Sequence, residues 1–210
     1  HNHDVSVIIK TVQENSNEYV ELFIKLLFSI HQNDTLKSVL YLIDLIFQNS
    51  PHFLREFHDI QLKLNNINPY APFLRLLNKT DLFILQKCYK CLTSLIDLDT
   101  ELKRNEVENL LDSVSKQLTQ AESDLRKARM CVQALMVLLK RDECRELFYK
   151  ARGIPTLVSL LQAHFTSTQM LYEVSFCMWL LSYHKNVDTF FQNGKVVPRL
   201  HYVMKNTQKE

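Results

Sequence analysis

Two stretches combine residue types and spacings that could do chemistry. The first is Cys88-Tyr89-Lys90-Cys91, a C-x-x-C pair. Two thiolates spaced this way can supply half of a tetrahedral zinc site, or a redox couple in a βαβ setting. Zinc would need two more ligands nearby, and neither a partner C-x-x-C nor a paired histidine follows. The eight histidines are dispersed, and no His-Glu-x-x-His occurs. With only two glycines, Gly153 and Gly194, the chain cannot build a phosphate-cradling G-x-x-x-x-G-K loop. Cys88 and Cys91 fall inside an apolar helical pattern and read as packing residues, as do Cys131, Cys144 and Cys177. The expectation is therefore a chain with no catalytic, cofactor-binding or metal-binding residues.

The second stretch is basic. Between Asp124 and Arg152 lie Arg126, Lys127, Arg129, Lys140, Arg141, Arg145, Lys150 and Arg152, against Asp124, Asp142, Glu143 and Glu146. One reading is a solvated face. The other is a ridge that docks an acidic partner, with Lys140, Arg141, Arg145, Lys150 and Arg152 as its contacts.

The elements that must carry these residues are helices. Leu, Lys, Glu and Gln are abundant, and glycine is scarce. Residues 142–184 set the pattern: a helix over 142–151, a Gly153-Ile154-Pro155 corner, a helix over 155–163 and a long apolar helix over 169–183. Gly153 is expected to take a positive φ and end the first helix. Pro155 fits the first turn of the second. Leu157, Leu160 and Leu161 then share one face. The third helix carries Tyr172, Phe176, Trp179, Leu180 and Tyr183 on one side and Leu171, Val174, Met178 and Leu181 on the other. A helix apolar nearly all round is expected to be buried, Trp179 included.

Further helices are expected over 19–30, 35–49, 51–58, 81–97, 106–118 and 129–140. Their starts are marked by capping boxes at Asn15-x-x-Glu18 and Thr119-x-x-Glu122 and by caps at Asn33 or Asp34 and at Thr80. Residues 60–68 read as a loop. Residues 1–15 read as a short helix or an arm ahead of a single repeat domain over 16–210. The proline corner recurs. Pro155 and Pro198 are 43 residues apart, and Pro72 and Pro155 are 83, or two periods. Gly194 opens the last of these corners. Helical units repeating at about 40–47 residues are the signature of armadillo or HEAT solenoids. The fold class expected is all-α, a right-handed α-solenoid of armadillo/HEAT-like repeats.

Composition adds limits. At 46% hydrophobic, the 210 residues can bury a continuous core. A net charge of +2 does not by itself imply nucleic acid. No apolar run is long enough to span a bilayer. An odd number of cysteines with no visible signal peptide favours reduced thiols in the cytosol. The start at His1 is read as a cut inside a longer protein.

The block Gly153–Leu161 resembles the armadillo consensus. With its flanks, a closer resemblance appears. Cys131–Arg145, then Ala151–Ile154, then Met170–Tyr183 with its Tyr172-x-x-x-Phe176-x-x-Trp179-Leu180-Leu181 motif, is similar to the H subunit of the vacuolar-type proton ATPase (V-ATPase). Tyr41–Asp44 and Pro72–Asp81 resemble earlier repeats of the same family.

The resemblance implies a non-catalytic regulatory part of the V1 sector, peripheral on the cytosolic face of endomembranes such as the vacuole. It implies docking on peripheral-stalk subunits E and G, contacts with other V1 subunits, and support of ATP-driven proton transport. In that family a C-terminal domain contacts the a-subunit of the membrane sector; this chain is similar to the N-terminal domain. No nucleic-acid partner, membrane insertion or cofactor is implied. The rival reading is an armadillo scaffold of the nuclear-import type, which binds basic peptides. Those scaffolds carry Asn one turn after Trp, where this sequence has Tyr183 after Trp179.

Overall fold

The computed structural model describes residues 2–63, 67–121, 124–162, 167–186, 188, 191–192 and 195–207. Among them every regular element is helical. The chain divides into two compact units, His1–Glu106 and Val107–Glu210.

The first unit holds α1 (Asn2–Glu14), α2 (Ser16–Ser29), α3 (Asn33–Asn49), α4 (Pro51–Lys63), α5 (Ala71–Leu76) and α6 (Leu82–Leu98). Its core is aromatic at the centre. Phe23 meets Phe53 edge-on at 6.1 Å, Phe47 meets Phe57 at 5.2 Å, and Phe57 meets Phe73 at 5.8 Å. The three contacts knit α2, α3, α4 and α5 together, and all five rings are buried. Polar ties then join residues about one repeat apart. Lys37 pairs with Asp81 at 2.7 Å, Lys79 donates to Asn33 at 3.2 Å, and Lys103 donates to Gln61 at 2.7 Å. The Arg75 guanidinium donates to the carbonyls of Leu27 and Phe28 at 3.0 and 2.9 Å, occupying acceptors that the end of α2 leaves open. Lys87 and Asp44 form a buried ion pair, Gln48 donates to the same carboxylate at 2.7 Å, and the ammonium stands over the rings of Tyr41 and Phe83.

The second unit holds most of α7 (Arg104–Thr119), then α8 (Leu125–Leu138), α9 (Asp142–Lys150), α10 (Gly153–Ser159) with a 3-10 turn (Leu160–Gln162), α11 (Thr168–Leu181) and α12 (Val196–Thr207). Here too the ties span about one repeat. Arg129 reaches Glu173 at 3.2 Å, and the Cys177 thiol lies 3.8 Å from the Val132 carbonyl.

The repeat is visible in the caps. Asp81 accepts from the backbone N–H groups of Phe83 and Ile84, Asp124 from those of Arg126 and Lys127, and Ser167 from that of Met170. Those three N-cap residues are 43 residues apart in each step. The left-handed corners agree. Arg152 has φ 54° and Lys195 has φ 50°, again 43 residues apart.

Several expected boundary signals are corrected. Asp81, one residue after Thr80, caps α6, because a carboxylate at the N-cap meets two free N–H groups at once. Asn15 makes no side-chain cap bond. Asn33 and Asp34 lie inside α3, whose N-cap is Gln32. Thr119 turns back to the Ser115 carbonyl at 2.9 Å, and Glu122 lies outside the described residues. The positive φ falls on Arg152, not Gly153. Gly153 is the first residue of α10, and a Cβ there would land on the Phe148 ring. Glycine is needed for close approach rather than for a left-handed turn. Gly194 and the predicted helix end at Ala163 lie outside the described residues. Helix α4 runs to Lys63, so part of the expected 60–68 loop is helical.

Candidate interaction surface

All five cysteines are buried and free. Burial pushes the thiols of Cys88, Cys91 and Cys177 far up, and those of Cys131 and Cys144 up to about 12. The thiolate is the nucleophilic and metal-binding form of cysteine, and burial disfavours it at all five positions. Among the described residues, no group of three or more His, Cys, Asp or Glu is placed to hold a metal ion.

The basic residues singled out in the sequence separate in space. Lys140 and Arg141 sit on the turn after α8, Lys140 exposed and Arg141 half-buried. Arg145 faces inward and is only 6% exposed. Its Nη1 donates to the carbonyls of Leu139 and Lys140 at 2.7 and 3.0 Å, and its Nη2 pairs with Asp142. The guanidinium thereby closes the turn at the C-terminal end of α8, supplying a donor to the carbonyls of Leu139 and Lys140. Arg145 is a structural cap on that end, with its donors turned away from solvent.

Lys150 and Arg152 are exposed at the end of α9. Lys150 pairs with Glu146 at 3.1 Å. The same carboxylate takes Lys185 at 3.5 Å and His184 Nε2 at 2.9 Å. The backbone N–H of Asn186 donates to His184 Nδ1 at 3.2 Å. That assigns the ring proton to Nε2, which donates to Glu146. The His184 hydrogen bond first, then Lys150, holds the Glu146 carboxyl down to about 2. His184 also stacks on Tyr149 at 5.3 Å, fixing the end of α9 against the turn that follows α11.

Helix α11 overturns the burial expected of Trp179. Its buried residues are Met170, Glu173, Val174, Cys177, Met178, Leu180 and Leu181. Tyr172, Trp179 and Tyr183 are 62%, 52% and 61% exposed, and Phe176 is half-buried. Three of these rings nevertheless form a continuous ladder. Phe176 to Trp179 and Trp179 to Tyr183 are each 5.4 Å between centroids. A helix apolar all round has two faces to cover, and the neighbours in this unit cover one. The signal that would have found this lies in the repeat itself. At the 43-residue register, the positions of Tyr172, Phe176, Trp179 and Tyr183 are Gln86, Lys90, Thr93 and Asp97 in α6, and Arg129, Gln133, Met136 and Lys140 in α8 and the turn after it. A row that is mostly polar in two repeats is aromatic in the third.

Residues 3–210 match the family of the V-ATPase H subunit. The chain is 32% identical to a probable V-type proton ATPase H subunit of Oryza sativa subsp. japonica, over 95% of this chain and 48% of that protein. It is 28% identical to the V-type proton ATPase H subunit of Dictyostelium discoideum, over 93% of this chain and 44% of the relative. The corresponding Drosophila melanogaster protein is 26% identical over 94% and 42%. The chain thus spans less than half the length of these curated relatives. Among solved structures, a designed armadillo repeat protein in complex with the peptide (KR)4 superposes with a TM-score of 0.72, at 15% identity, over 98% of this chain and 88% of that one. Computationally designed armadillo repeat proteins for modular peptide recognition superpose at 0.69, with 14% identity, over 99% and 92%. At that identity the likeness is one of fold: an armadillo-type α-solenoid.

Proposed function

The chain belongs to the family of the V-ATPase H subunit, and on that premise we propose that it is a non-catalytic regulatory part of the V1 sector of the proton-pumping ATPase. It docks on peripheral-stalk subunits E and G and supports ATP-driven proton transport from the cytosolic face of the membrane. The observation that carries this reading is the family match running from residue 3 to residue 210. The architecture supports it. Within each unit the helices are tied from one repeat to the next, as in other helical-repeat docking proteins, and no described helix is long and apolar enough to cross a membrane. Contacts with the a-subunit of the membrane sector fall, on this reading, to the part of the relatives that this chain does not span. Lys140, Arg141, Lys150 and Arg152 offer cations to an acidic partner, without Arg145, whose donors are turned inward. The test is a calorimetric titration with the isolated E–G heterodimer. Saturable one-to-one binding supports the reading. Absence of binding by the folded, helical chain, or ATP hydrolysis by it, overturns it.

One observation favours a second reading, a scaffold for basic peptides: the superposable designed protein was captured with (KR)4. Against it stand the exposed cations of the second unit, which repel such a ligand. Binding of a labelled (KR)4 peptide in a salt-sensitive manner would favour this alternative.

A further inference from the structure

We propose that the aromatic face of α11, with the cations gathered at its C-terminal end, is a docking surface for an acidic amphipathic helix of a partner polypeptide. The inference rests on the stalk-docking reading for its setting and names the chemistry of the contact. The exposed aromatic row begins at Tyr172 and ends at Tyr183, just past the end of α11, a span of about 16 Å at 1.5 Å per residue. Exposed aromatics at this spacing match the anchors a partner helix offers at i, i+3 or i+4 and i+7. Tyr and Trp are also the residues that carry most binding energy at protein interfaces, because each buries a large rigid area at little entropic cost.

Charge selects the occupant. The Tyr149–His184 stack brings the end of α9 to the end of α11. Lys150 and Lys185 therefore meet on the carboxylate of Glu146, next to His184, which directly follows the last ring of the ladder. Two lysines against one carboxylate leave an excess positive charge. Lys185 is exposed over 74% of its side chain, able to turn toward an incoming carboxylate. A partner helix with acidic residues at its flank satisfies both halves of the surface. A basic one satisfies only the aromatic half and meets repulsion at the end.

Trp179 is the sole tryptophan of the chain and reports directly on the surface. The experiment titrates the chain with a tryptophan-free helical peptide of about 18 residues, its length set by the ladder, with Leu and Phe on one face and Glu on the flanks. An isomeric peptide with Lys on the flanks is the control. The expected result is a blue shift and iodide protection of Trp179 with the Glu peptide, and binding at least about tenfold weaker with the Lys peptide. Y172S and Y183S, both at exposed positions, should abolish the Glu-peptide response while circular dichroism is unchanged. K150Q/K185Q should weaken binding and flatten its salt dependence. Equal response to both peptides, or none, overturns the proposal. So does Trp179 already shielded in the free chain, by self-association or by added sequence in a chain of the relatives' length. Binding of E–G by Y183S and K150Q/K185Q at wild-type strength would sink this surface and leave the stalk reading standing. Peptide binding without E–G binding would do the reverse.

Discussion

His58 reaches Asp99 across one repeat, with Nε2 2.9 Å from an Oδ1 whose side chain is only 3% exposed. On the other edge of the ring, Nδ1 lies 2.6 Å from Asp59. Tyr70 donates its hydroxyl to the same Asp99 oxygen at 2.8 Å, and the Lys103 ammonium stands 4.7 Å from the Tyr70 ring centre. One imidazole between two carboxylates favours the imidazolium. The hydrogen bond to Asp99 raises the His58 pKa above its ordinary value, and Asp59 adds to it, against the opposing effect of burial.

The sign of the resulting pH dependence follows. A group whose pKa is raised by folding contributes stability that is complete below its unfolded pKa, about 6.5. That contribution is lost as pH rises through the higher folded value. Urea unfolding should therefore show a falling midpoint as pH climbs above about 6.5. Glu146 and Asp81 shift the other way, so their contributions stay constant over that range. D99N, which removes the largest cause, should flatten the slope; a slope unchanged in D99N would assign it to another group.

The Lys87–Asp44 pair is buried on both sides. Removing only Lys87 leaves Asp44 desolvated, with the Gln48 amide donating to it but no cation beside it. K87M is expected to cost about 3–5 kcal/mol, as for other buried pairs broken on one side. K87M/D44L should recover much of that loss, since no uncompensated charge remains. Thermal unfolding of the two variants decides between a pair that stabilises and one that only avoids a penalty.

G153A should cost about 1–3 kcal/mol, the range for overpacking a filled core. The added Cβ would meet the Phe148 ring, which is fully buried and cannot swing out. In an F148L background the same substitution should cost less, because the ring that opposes the methyl is gone. Additive losses would place the strain in the backbone instead.

The repeat and its period are legible in the sequence because proline corners and apolar stripes are local, and both survive in one dimension. The position of the left-handed residue is not. Gly153 announces a backbone need, but only the packing of Phe148 shows that the need is for space. Arg145 is equally opaque. A cation at an inter-helix turn looks exposed until the Leu139 and Lys140 carbonyls of that turn are seen to accept from its guanidinium. Trp179 escapes for a third reason: periodicity shows that a face is apolar, not that a neighbour covers it.

Trp179 carries the last prediction. A fully buried large aromatic costs about 3–5 kcal/mol when cut to alanine. Trp179 is 52% exposed, and it meets the rings of Phe176 and Tyr183 on the same side of α11. W179A is therefore expected to cost about 1 kcal/mol, the worth of an aromatic pair. Leu181, fully buried two residues on, provides the internal control: L181A should cost about 2–5 kcal/mol. Chemical denaturation of both variants measures the contrast directly. Losses of equal size would mean that the aromatic face is covered in solution, and the docking surface with it.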